Sequence, residues 1–148
     1  NTFSTTSSSL NSLKDRIFII ADPIPLTTNS DTIVMNFTIP TALRSAGGKV
    51  IVHTEIENGV DIAAIDEEFQ ITALRKGTTV TCTNSIPITY SSLATGSATL
   101  TTTWTTVANA QSVDVKCNAV TGGINSTNST VRVTFIPNSS AIPVITHP

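Results

Sequence analysis

The feature that most constrains this chain is a two-residue hydrophobic period that keeps restarting between turn signals. From Thr32 to Ile39, Ile33, Met35, Phe37 and Ile39 alternate with Thr32, Val34, Asn36 and Thr38. An extended chain with that pattern has one apolar and one mostly polar side, as a strand buried on one face requires. Pro40 closes the run, and Gly47-Gly48 marks a turn into Lys49–Glu57, where Val50, Val52 and Ile56 oppose Ile51, His53 and Glu55. Asn58-Gly59 is the strongest short turn signal. Glu68–Leu74 places Phe69 and Ile71 together, Lys76-Gly77 turns the chain, and Val80 shares a side with Cys82 within Thr78–Thr83. Ile86, Ile88 and Tyr90 alternate around Pro87, which marks an edge or a bulge. Ala98–Val107 sets Leu100 and Trp104 against a row of threonines, and Asn109-Ala110 turns into the alternating Val113, Val115 and Cys117. Val131, Val133 and Phe135 form the last clear run before Pro137.

No segment carries a convincing 3.6-residue period; the one helical candidate, Asp61–Glu68, is about a single turn long. Short strands joined by polar turns at this spacing predict an all-β, antiparallel β-sandwich, and about eight of them favour the jelly-roll type. Residues 27–137 form the sandwich in this reading. Residues 1–26 form an N-terminal arm and extended segment, because the start is Ser/Thr-rich and Pro23 and Pro25 forbid a central strand. Residues 138–148 form a C-terminal tail. The apolar residues of the arm, Ile17, Phe18, Ile19, Ile20, Ile24 and Leu26, are candidate interface residues, lying along the body or against a neighbour.

Charged residues make up only 12% of the chain, and Ser, Thr and Asn take their place. The surface is therefore polar but mostly uncharged. With a net charge of −2 and no basic run longer than Arg75-Lys76, the chain lacks the phosphate-neutralising patch of a nucleic-acid binder. Its longest apolar stretch, near Ile17–Ala21, is too short to span a bilayer, and residues 1–11 lack the charged start and apolar middle of a signal peptide. No membrane partner is expected.

No constellation predicts catalysis, and no cofactor or metal site is expected. His53 and His147 are the only histidines; no nucleophile-elbow sequence accompanies them, and a triad base must be fixed by a third group. Asp61, Asp66, Glu67 and Glu68 form the one acidic cluster, whose spacing fits no calcium loop, so it is read as a solvated loop. Cys82 and Cys117 fall on apolar faces and are either buried thiols or a bond across the sandwich. Asn-x-Ser/Thr triplets at Asn36, Asn125, Asn128 and Asn138 arise readily in a chain of this composition. Thr99, Thr101, Thr103 and Thr105 form a threonine ladder, which suits an exposed strand or a subunit interface.

The arm, the strand "TIVMNFTIP" (32–40), the Gly-Gly entry to "KVIVHTEIENG" (49–59), the pair "ATLTTTWTTV" (98–107) and "SVDVKCNAV" (112–120), and the closing "STVRVTFIP" (129–137) together resemble small jelly-roll virion proteins. The likeness is to bacteriophage capsid decoration (cement) and fibre-head domains, and more distantly to TNF/C1q-like trimers. It implies a structural protein at the virion surface that stabilises the capsid as a homotrimer, with the major capsid protein or neighbouring copies of itself as partners. The Ser/Thr-rich surface also fits an extracellular adhesive module, such as a pilus subunit, an adhesin or a carbohydrate-binding domain. An enzyme on this scaffold lacks its groups in the sequence.

Overall fold

The structure, a computed structural model, describes residues 2–3, 18–19, 23–41, 44–57, 59–122, 128–138 and 144–146. They form β1 (Thr2–Phe3), β2 (Phe18–Ile19), β3 (Ile24–Pro25), β4 (Asp31–Thr38), β5 (Ser45–Glu57), β6 (Ile62–Lys76), β7 (Thr79–Asn84), β8 (Ile88–Ala94), β9 (Thr99–Asn109), β10 (Ser112–Gly122), β11 (Asn128–Pro137) and β12 (Val144–Thr146). Two sheets result. One runs β1-β12-β4-β10-β9; the other runs β2-β11-β5-β6-β7, with β3 also on β11 and β8 also on β6. Every pairing is antiparallel. In the second sheet β5, β6 and β7 follow one another, and β11 returns beside β5 after β9 and β10 have joined the other sheet. The two-sheet, all-β expectation is met, while the strand order does not spell out the Greek keys of a jelly roll.

The inner faces of the sheets meet in one principal core. Two aromatic contacts bridge them: Phe37 of β4 against Phe135 of β11 at 5.9 Å, and Phe69 of β6 against Trp104 of β9 at 5.2 Å. Such pairs add about 0.5–1.5 kcal/mol each beyond the area they bury. Val50, Val52 and Ile56 point inward from β5 and Val131, Val133 and Phe135 from β11, as period two demands.

Three readings of the sequence change. First, Ile33 is exposed and Val34 is buried, together with Met35, Phe37 and Ile39. The register with β10 shifts between Val115 and Lys116, passing from Met35 to Ile33. Val34 is the extra residue of a β-bulge, and a bulge reverses the facing of what precedes it. Second, Asp61–Glu68 is not a helix, and only Asp61 of it lies outside a strand. Ile62–Glu68 is the first half of β6, with Ala63, Ile65 and Glu67 inward. Third, Gly47-Gly48 lies inside β5 rather than in a turn, paired with Thr72 and Ile71 of β6. Their φ angles are +158° and +159°, and a Cβ on Gly47 would drive into the Ile71 carbonyl oxygen, one on Gly48 into that of Ile136. Only glycine allows the neighbouring backbones so close.

Candidate interaction surface

The chain contains no Asp, Glu, Lys or Arg from residue 77 to residue 113. That stretch builds β7, β8 and β9, and the fold sets all three at sheet edges. β6 has one edge shared by two strands in succession, β8 alongside Ala63–Glu68 and β7 alongside Ile71–Lys76. β9 is the last strand of the other sheet. One uncharged flank thus carries the edges of both sheets.

β8 is the most accessible part of this flank. All seven of its residues are exposed on both faces. Ile88 is 57% exposed, Tyr90 63% and Leu93 79%, and Ile86 just before it reaches 89%. Beneath one end of the strand, Ile62, Ala63, Ala64, Leu93 and Ala94 line an apolar cavity of about 190 Å³. Pairing with β6 slips between Asp66 and Glu67, and Tyr90 is the residue left over. Its hydroxyl is hydrogen-bonded to Glu68, which raises the Tyr90 pKa, with burial and the Glu68 charge adding to the shift.

Behind the flank, polar side chains tie the two sheets together. Asn84 of β7 donates to the Trp104 carbonyl at 3.2 Å and accepts from the Thr106 hydroxyl at 3.1 Å. Glu67 is buried, at 4% exposure, on the core side of β6. It accepts from Trp104 Nε1 at 3.2 Å and from the Thr102 hydroxyl. The ladder residues Thr99, Thr101, Thr103 and Thr105 are exposed along β9, while Thr102, Trp104 and Thr106 turn inward.

The arm divides. Ile24 is only 3% exposed within the core, and Leu26 packs against that core. Both pack along this chain's own body, one of the two placements expected of the arm. Phe18 and Ile19 pair by backbone with Phe135 and Thr134. Ile17 and Ile20 lie outside the described residues, as does His147.

The outer face of β5 and β6 holds the nearest approach to a catalytic cluster. His53 Nδ1 lies 2.7 Å from Asp66 Oδ1, and the Ser91 hydroxyl donates to Asp66 Oδ2 at 3.0 Å. The hydrogen bond from His53 is the main cause holding the Asp66 pKa below 3.8; the Ser91 bond and the His53 charge add to it, and burial opposes them. The carboxylate stands between serine and histidine. A nucleophile needs its base as direct partner, so the cluster as built is a polar clamp across three strands. Among the described residues no group of three or more His, Cys, Asp or Glu could hold a metal ion. The acidic cluster fails to converge because strand alternation sends Asp66 and Glu68 outward and Glu67 inward. Cys82 and Cys117 are both free thiols, Cys117 buried and Cys82 partly so. Burial pushes the Cys117 thiol up to about 12, and the charges of Glu67 and Asp31 add to it.

No protein-family model matches the chain, and neither does any curated protein. Solved structures to which the chain shows some similarity include the tailspike protein of Acinetobacter baumannii phage AM24, at a TM-score of 0.48 and 6% identity over 85% of this chain. Another is the tailspike protein of the Acinetobacter phage vB_ApiP_P1, at 0.41 and 15% identity over 90%. The chain spans 27% of the length of the first and 22% of the second.

Proposed function

We propose that this chain is a structural protein of a virus surface, a capsid decoration or cement module that binds capsid subunits and its own neighbours as a trimer. The observation that carries the reading is β8, an edge strand exposed on both faces, rich in large apolar residues and free of charge. Soluble domains protect such edges with lysine, proline or a covering element, because open backbone groups beside apolar side chains template further pairing. Pro87 precedes the strand, but from Ile88 to Ala94 nothing charged guards it. A partner that continues the sheet, or covers Ile88, Tyr90 and Leu93, would satisfy it. In this reading the domain performs no chemistry, and the His53–Asp66–Ser91 clamp stiffens the sheet from which β8 hangs.

The test is the native mass of the purified chain, alone and mixed with candidate virus particles. The proposal expects a mass three times that of the chain and co-sedimentation with particles. A monomer at every concentration, with no particle binding, would defeat it.

A further inference from the structure

β5 and β6 run in unbroken register from Ser45 opposite Leu74 to Glu57 opposite Ile62. At the strand rise of an antiparallel sheet, those ends lie about 40 Å apart. They carry opposite charge. At one end Arg44, Arg75 and Lys76 line a cleft of about 870 Å³, with the Thr79 and Thr81 hydroxyls and the half-exposed Leu74 in its wall. Three of the chain's eight Lys and Arg are thus gathered in one place, and among the described residues no carboxylate shares the lining. Arg75 is held there by donating through Nε to the Gly77 carbonyl at 2.8 Å and through Nη1 to the Ile39 carbonyl. A guanidinium has five N–H donors, so others remain for a ligand. Arg44 and Lys76 are exposed. At the other end Glu55 and Glu57 line a smaller cavity of about 260 Å³ with Ile56, Ile62, Asn128 and Thr130. Glu57 accepts from the Asn128 amide at 3.0 Å and Glu55 lies 3.6 Å from His53 Nε2, and among the described residues no Lys or Arg joins that lining.

We infer that copies of this chain meet head to tail, the acidic β5–β6 end of one copy seated against the Arg44–Arg75–Lys76 cleft of the next. The inference rests on the proposed role in assembly and adds a direction to it. Guanidinium and ammonium groups meet carboxylates at the cleft mouth, and the threonine hydroxyls offer further hydrogen bonds. The two surfaces differ, so the contact is heterologous: it closes into a ring or continues as a line, according to the rotation between copies. Exposed ion pairs are individually weak, so the charged ends govern encounter and orientation and make the contact salt-sensitive.

Two double variants of the full chain test this: Arg44→Glu with Lys76→Glu, and Glu55→Lys with Glu57→Lys. Arg75 stays, because its bonds to Ile39 and Gly77 hold the end of β6. Sedimentation velocity at low salt is expected to show association weakened by about tenfold or more in each variant alone. An equal mixture should recover association between unlike copies, as pairs and even-numbered or open assemblies in which the two variants alternate, since the reversed cleft of one variant matches the reversed end of the other. Unchanged association in either variant, no recovery on mixing, or a wild-type mass independent of salt would overturn the inference. Particle binding measured on the same samples keeps the outcomes apart. Variants that bind particles as wild type does, without salt-sensitive stacking in any sample, would refute the head-to-tail contact and leave the virion role standing.

Discussion

Glu67 is a carboxylate on the core side of a strand, and its place depends on two donors, Trp104 Nε1 and the Thr102 hydroxyl. A buried charge is tolerated only when hydrogen-bonded, and removing its side chain strands its partners. Glu67→Ala is therefore expected to cost about 2–4 kcal/mol, the sum of unpaired donors and a new void. Glu67→Gln keeps an acceptor and should cost clearly less; urea unfolding of both variants checks the order. Cys117 gives a second expectation. With its thiol pushed up to about 12, it is almost wholly un-ionised near neutral pH, and the thiolate is the reactive form. Alkylation of the native protein should mark Cys82 well before Cys117, as read by peptide mass, and equal rates would contradict the burial. The inward facing of both cysteines was legible from alternation alone. Glu67 was not, because a charged residue beside Asp66 and Glu68 reads as solvent-facing until its partners, some 35 residues later, are folded against it.

At the level of elements, the sequence marks strands well where the period is clean and misleads where a device interrupts it. The inward sets of β5 and β11 follow directly from period two. β4 does not, since a bulge at Val34 leaves no local signal: Ile33 and Val34 are equally apolar, and only the partner strand decides which is inserted. In β6 the inward positions are Ala63, Ile65 and Glu67, two small or acidic residues around one isoleucine, so the apolar period is masked until Phe69. Gly47-Gly48 resembles a turn because glycine serves turns and close backbone contacts alike. The distinction is testable. Gly48→Val would force a Cβ into the Ile136 carbonyl and should destabilise the fold by about 2 kcal/mol or more. Gly59→Val should be milder: although φ there is +89°, nothing lies within 4 Å of the added Cβ. Equal melting points for the two would contradict the strand placement.

The whole molecule is a two-sheet body with one flank free of charge. Acidic and basic residues occur on β4, β5, β6, β10 and β11, while β7, β8 and β9 carry none. The gap in charge from residue 77 to 113 was visible in the sequence; that it forms one flank, with β8 bare on both faces, depends on how β6 shares its edge between two strands. The central claim is that this flank is made to be covered by protein. Its most direct test is the native mass of the wild type beside an Ile88→Lys, Leu93→Lys variant, at high salt so that charged contacts are screened. Both side chains are already exposed, so the variant should melt as the wild type does. The account predicts a trimer for the wild type and a monomer for the variant. A wild type that is monomeric, or a variant that keeps the trimeric mass, would contradict it.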